Sequence, residues 1–163
     1  MLQIKTLIID DEANARSAIK NMLLHLGLPV DIIGEAANAS EGLEKIKLLR
    51  PELLFLDIQM PGKSGIELMQ EMDSDNIQVI FVTAHQGFAI QALKLSAIDY
   101  VLKPVDPVDL KDAVEKALKQ KNKLATGQLL LFQQALQHLQ YPMQKAPQKL
   151  ALSTSEGVLF TDL

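Results

Sequence analysis

The 163-residue chain contains no cysteine, which excludes disulfide staples, thiolate metal sites and cysteine nucleophiles and agrees with a reducing compartment. It also lacks any run near the roughly 20 apolar residues needed to cross a bilayer; the longest, such as Val79-Ile80-Phe81-Val82, are of strand length. A basic leader with a small-residue cleavage site is missing too: Met1-Leu2-Gln3-Ile4-Lys5 runs straight into a strand, so the expectation is a cytoplasmic protein without membrane association. What is present is ordinary for a folded domain, with 48% hydrophobic and 22% charged residues.

Charge is uneven. Residues 1–120 hold 12 Lys and Arg against 18 Asp and Glu, whereas residues 121–163 hold 4 against 2. The break suggests two parts, and the acidic one argues against nucleic-acid binding by that surface, because phosphate backbones attract clustered cations.

Over the acidic part, short apolar runs alternate with stretches of helical period. Strands are predicted at Ile4–Ile9, Asp31–Ala36, Leu53–Leu56, Ile77–Val82 and Ile98–Leu102. The first helix carries Ala15, Ile19, Met22, Leu23 and Leu26 and stops at Gly27 and Pro29; the second runs from Ser40 to Arg50 ahead of Pro51. Ser64 with Glu67 forms a capping box for the third; the fourth lies around Gly87 to Leu95, and the fifth follows Pro107 with Leu110, Ala113, Val114, Ala117 and Leu118 on one face. Five β-α units imply an α/β fold with a parallel, doubly wound sheet buried on both faces. Ligands of such sheets bind beyond the carboxyl ends of the strands.

Those ends carry Asp10 and Asp11, then Asp57, Thr83 and Lys103-Pro104. Three carboxylates in one cleft repel unless a cation joins them, and hard oxygens suit Mg²⁺. A lysine and a threonine hydroxyl beside them can hold an added phosphoryl group, so the set suits phosphoryl transfer to an aspartate. Each residue has a plainer alternative. Asp11 could N-cap the first helix, Asp57 could open the turn through Pro61-Gly62, Thr83 could be a buried strand residue, and Lys103 a surface lysine.

The runs Leu7-Ile8-Ile9-Asp10-Asp11-Glu12, Leu56-Asp57-Ile58-Gln59-Met60-Pro61-Gly62, Val82-Thr83-Ala84 and Asp99-Tyr100-Val101-Leu102-Lys103-Pro104 resemble the motifs of receiver domains of two-component response regulators. The resemblance covers residues 2 to about 122. It implies a flavodoxin-like sheet of order 2-1-3-4-5, and Asp57 as acceptor of a phosphoryl group from a sensor histidine kinase. It further implies Asp11 and Asp57 as Mg²⁺ ligands, Asp10 partly through water, and the Gln59 backbone carbonyl as another. Thr83 and Lys103 would touch phosphoryl oxygens, and Pro104 is a candidate cis proline that aims Lys103 inward. Tyr100 matches the aromatic switch residue that moves with Thr83; a half-buried strand aromatic with its hydroxyl in water is the alternative. His85 reads as a surface residue modulating access, not as a base.

Beyond the receiver, Leu118, Asn122, Ala125, Leu129, Phe132, Leu136 and Leu139 recur in steps of four and three. The heptad suggests a coiled coil, against an amphipathic helix folded on its own domain. The resulting division is a receiver at 1–122, a helical, Gln-rich linker at 123–148 bracketed late by Pro142 and Pro147, and a hairpin at 149–163 with strands Leu150–Thr154 and Val158–Leu163. The hairpin resembles the opening of a LytTR-type DNA-binding domain, which implies a truncated output module and no DNA-reading surface here. The expectation is a phosphoacceptor signalling protein rather than an enzyme with external turnover, forming a homodimer on phosphorylation. One rival is an aspartyl-phosphate phosphatase, which would need an acid where Gln59 stands; another is a phosphate-independent dimerisation scaffold.

Overall fold

A computed structural model describes residues 2–73, 75–140, 149–154 and 157–162, with side chains through residue 138. The chain divides into two compact units, Met1–Asn122 and Lys123–Leu163.

In the first unit, strands β1 (Ile4–Ile9), β2 (Val30–Ala36), β3 (Leu53–Leu56), β4 (Gln78–Thr83) and β5 (Asp99–Leu102) form one sheet in the order β2-β1-β3-β4-β5, with every neighbouring pair parallel. All four residues of β3 are buried, because the central strands are covered on both faces and gain nothing from alternation. Alternate residues feed two cores. Ile4, Ile8, Leu53, Phe55, Ile80 and Val82 pack with Ile19, Leu23, Leu110, Ala113, Val114 and Ala117, from α1 (Ala13–Leu26) and the first part of α5 (Pro107–Gln140). Leu7, Ile9, Leu54, Leu56, Val79 and Phe81 pack on the other side with Ile46, Leu68 and Ala92, from α2 (Ala39–Leu49), α3 (Gly65–Glu71) and α4 (Ala89–Lys94). The flavodoxin-like architecture and strand order are those expected.

Local chemistry sets the helix ends. Gly27 closes α1 at φ 62°, a left-handed conformation that costs glycine nothing. The second helix starts earlier than Ser40, because Asn38 lies three residues before Glu41 and its side chain accepts the Glu41 amide at 2.8 Å. Ser64 Oγ accepts the Glu67 amide at 3.2 Å at the start of α3, as the capping-box spacing predicts. Asp11 does not cap α1; the N-cap is Glu12, with no side-chain cap bond, so that alternative for Asp11 fails. A 3-10 turn at Gln86–Phe88 precedes α4 and shortens the helix expected from Gly87. Pro107 stands at the first position of α5, where its missing N–H leaves no bond unmade, and Asp106 Oδ1 accepts the Val108 amide at 2.7 Å.

Leu118, read from the sequence both as the end of the core face of the fifth helix and as the start of the heptad, packs against the core on the α1 face. Farther along α5, Leu124, Leu129, Leu130, Leu131, Phe132 and Leu136 are exposed. In the second unit, β6 (Lys149–Thr154) and β7 (Gly157–Asp162) pair antiparallel, one residue from the expected bounds. Residues 141–148 of the Gln-rich linker, with Pro142 and Pro147, the turn residues Ser155 and Glu156, and Leu163 lie outside the described residues.

Candidate phosphoacceptor and metal site

The parallel sheet carries β1, β3, β4 and β5 to the same edge, and their ends bring together Asp10, Asp57, Thr83 and Lys103. Backbone bonds fix each position: the Asp10 amide donates to Ala36 O at 3.0 Å, the Asp57 amide to Ile9 O at 3.0 Å, and the Lys103 amide to Thr83 O at 2.9 Å.

Lys103, 93 residues from Asp10 in sequence, donates from Nζ to Asp10 Oδ2 at 2.8 Å and to Asp57 Oδ2 at 3.2 Å. The Lys103–Pro104 peptide is cis. Asp10 Oδ1 accepts the Glu12 amide at 2.9 Å, and Asp57 Oδ1 accepts the Gln59 amide at 3.3 Å. Asp10 and Asp57 are buried while Asp11 is exposed, and one carboxylate oxygen from each of the three lies within 4.8 Å of the others. Hard, anionic oxygens held this closely are a donor set that fits Mg²⁺ and not a soft metal. Beside Asp11 the surface opens into a cleft of about 530 Å³ lined also by Asn38, Ser40, Gly62 and Lys63.

The electrostatics follow from crowding. Burial raises the Asp57 pKa above its ordinary value; the Lys103 charge opposes this, the Asp10 charge adds to it, and the result is a net rise. Burial alone would lower the Lys103 pKa, but its hydrogen bond to Asp10 and the charges of Asp57 and Asp10 outweigh it and hold the ammonium more firmly protonated. The cation is thus shared between two acids that it does not fully neutralise.

Thr83 is fully buried, and its hydroxyl has no hydrogen-bond partner among the described residues. An unpaired buried hydroxyl is costly. The Tyr100 hydroxyl donates to the His85 carbonyl, and its ring lies 6.5 Å from that of Phe81, tilted by 50°. The hydroxyl therefore does not simply reach water, and His85 contributes its backbone to this contact. Sequence reasoning missed Arg16, whose Nη1 donates to the Asp10 carbonyl at 2.7 Å while Nε pairs with Glu35 Oε1 at 3.1 Å. No sequence signal marks it: an arginine one helical turn beyond Glu12 reads as any helix-surface residue.

A sheet of this order with acids, a threonine and a lysine at its carboxyl edge is the architecture of a receiver-type signalling domain. The profile of the response regulator receiver domain family matches residues 6–115, and the chain belongs to that family. An uncharacterized response regulatory protein of Vibrio vulnificus is 48% identical over 123 residues, covering 75% of this chain and 50% of the relative. The transcriptional regulatory protein BtsR of Escherichia coli is 38% identical over 137 residues, 83% of this chain and 57% of its own. The chain thus spans about half the length of the curated relatives it matches. Among solved structures, the receiver domain of the response regulator AraT from Geobacillus stearothermophilus superposes with a TM-score of 0.67 at 30% identity, over 76% of this chain and 99% of that one. A CheY-like receiver domain protein from Methanospirillum hungatei gives a TM-score of 0.65 at 30% identity, over 76% and 98%. Receiver domains serve two-component signalling with a histidine kinase as phosphodonor and bind Mg²⁺ at an acidic pocket such as this one. Among the described residues no helix is long and apolar enough to cross a membrane.

Proposed function

We propose that Asp57 is the phosphoacceptor and that the chain is a phosphorylation-controlled switch acting in the cytoplasm. The observation that carries this reading is the shared lysine: Lys103 spans two buried acids at 2.8 and 3.2 Å, an arrangement with negative charge left over. A carboxylate oxygen of Asp57 attacks the phosphorus of a phosphohistidine, the P–N bond breaks, and the departing imidazole takes up a proton. Asp11, Asp57, Asp10 partly through water, and the Gln59 carbonyl would hold Mg²⁺, which when bound would supply charge neutralisation for the transferring group. Lys103 pairs with the new phosphoryl oxygens and the Thr83 hydroxyl donates to them.

The chemistry is self-phosphotransfer and its reversal by water, with no external turnover. The phosphatase reading is disfavoured by Gln59, a neutral residue where a second acid would be needed, and the scaffold reading by two buried acids and a lysine maintained at a folding cost. Small-molecule phosphodonor and Mg²⁺ are expected to add one phosphoryl group, detected by intact mass, and Asp57→Asn to abolish it. Labelling of the variant at the wild-type level overturns the assignment.

Thr83 drawn toward the phosphoryl group, with Tyr100 following, is the proposed switch, and its output is homodimerisation through α4, β5 and α5. Leu129, Phe132 and Leu136, the exposed apolar residues of the heptad on α5, are a second pairing surface. The relative named a transcriptional regulatory protein and the LytTR-like hairpin together support control of transcription, with DNA contacted through an output domain.

A further inference from the structure

We propose that Gly65 is a positioning residue for phosphoryl transfer: because it lacks a side chain, the first turn of α3 rests directly on the Asp57 peptide and holds the Gln59 loop against the Asp57 carboxylate. The inference rests on reading Asp57 as the phosphoacceptor.

A Cβ built at Gly65 would stand 2.2 Å from the Asp57 carbonyl oxygen, 3.0 Å from its carbonyl carbon and 3.1 Å from Ile58 Cα. All three are backbone atoms of the strand end that carries the acid, so no side chain can rotate away to make room. The Gly65 amide closes the contact by donating to Ile58 O at 2.8 Å. The segment from Ile58 to Ser64 is therefore a loop whose two ends touch at a backbone neck. Inside it, Gly62 turns the chain at φ 82°, and the Gln59 amide reaches Asp57 Oδ1 at 3.3 Å. The width of the neck sets where the Gln59 backbone lies relative to the Asp57 oxygens. That geometry governs both cation binding and attack on phosphorus, since a displacement near 1 Å at a reacting centre is costly.

The requirement at Gly65 is for space and not for an unusual backbone angle, as its φ lies in the range open to any residue. Alanine is the better helix former there, so a loss of function on Gly65→Ala reports the clash alone. Gly42, buried in α2, supplies the control. A Cβ there would meet Ile9 Cδ1 at 2.9 Å and Leu68 Cδ1 at 3.2 Å, side-chain methyls and no backbone of the site.

The test uses the full chain and its G42A and G65A variants. Mg²⁺ alone is titrated by backbone amide NMR, and labelling with acetyl phosphate is timed at saturating Mg²⁺, under conditions where circular dichroism shows each chain folded. For G65A the Mg²⁺ dissociation constant is expected to rise tenfold or more and the labelling rate to fall by at least as much. G42A should stay within twofold on both, even where its unfolding midpoint drops. Values within twofold for G65A, or equal losses in the two variants, overturn the proposal. Should G65A not fold, amide hydrogen exchange on the unaltered chain decides: the Gln59 and Gly65 amides should slow together by tenfold on Mg²⁺ binding, and a Gly65 amide that ignores Mg²⁺ while Gln59 responds overturns it. If the unaltered chain takes no phosphoryl group, the Asp57 reading fails, and the Mg²⁺ titration still tests Gly65.

Discussion

Removing the Asp57 charge should make the metal-free protein more stable, although the substitution deletes an ion pair. Asp10 and Asp57 present oxygens within 4.8 Å of each other. At an effective dielectric of about 20 that separation gives a repulsion of about 3.5 kcal/mol. Lys103, 3.2 Å from Asp57, returns about 5 kcal/mol at the same dielectric, but Asp10 shares that charge, and burying the Asp57 carboxylate costs further free energy. The raised pKa of Asp57 gives the sign of the balance: the folded state holds the Asp57 proton more tightly than the unfolded chain does. Its stabilising contribution is complete below the unfolded value near 3.8 and is lost as pH rises through the higher folded value. Asp57→Asn, close in shape and neutral, escapes that loss. In EDTA at pH 7 the variant should exceed wild type by about 1 kcal/mol, or about 3–5 °C in Tm for a unit of this size, and the gap should close in acid. Mg²⁺ at ten times its dissociation constant should add about 1.4 kcal/mol to wild type and much less to the variant. Urea unfolding followed by circular dichroism measures all four states. A variant that unfolds earlier than wild type in EDTA, or that gains as much from Mg²⁺, refutes the reasoning.

Four further outcomes are expected. Lys103→Met leaves Asp10 and Asp57 facing each other uncompensated, so stability in EDTA at pH 7 should fall by about 2 kcal/mol and recover in part with Mg²⁺; an unchanged urea midpoint contradicts this. Because the Lys103 pKa is raised, the same contribution in wild type is present below the unfolded value of 10.5 and is lost as pH climbs past it, which a pH series of unfolding midpoints tests. Thr83→Val keeps the shape and deletes the unpaired buried hydroxyl, so it should gain about 1 kcal/mol in unfolding free energy while a beryllofluoride complex no longer shifts the Tyr100 ring signals; lower stability, or an intact shift, counts against the role of Thr83. Phe132→Glu, placing a charge on the exposed apolar surface of α5, should lower dimer mass in sedimentation velocity; equal masses across a dilution series rule out pairing there.

Much of the fold was legible because a parallel sheet covered on both faces writes itself as short, wholly apolar runs separated by helical periods, as at Leu53–Leu56 and Leu110–Ala117. Boundaries were less so. Asn38 and Ser40 both resemble caps, and only the bond from the Glu41 amide to Asn38 Oδ1 separates them. Leu118 belonged to both the core face of the fifth helix and the heptad, because a helix that continues past the edge of a domain keeps its apolar period while the neighbour of that stripe changes. Arg16 and Gly65 were silent for a similar reason: an arginine inside a helix and a glycine after a cap have no sequence mark that distinguishes a contact with the site from surface or turn chemistry.

By itself, then, the order of residues determined which chemistry is possible: alternating strands and helices forced the acids, Thr83 and Lys103 to strand ends, since a parallel sheet places all such ends at one edge. Tertiary structure decided how those groups share charge. Burial of Asp10 and Asp57 but not Asp11, one ammonium between two carboxylates, an unpaired Thr83 hydroxyl and a glycine pressed on the Asp57 peptide are through-space relations among residues up to 93 apart, and no local pattern encodes a distance.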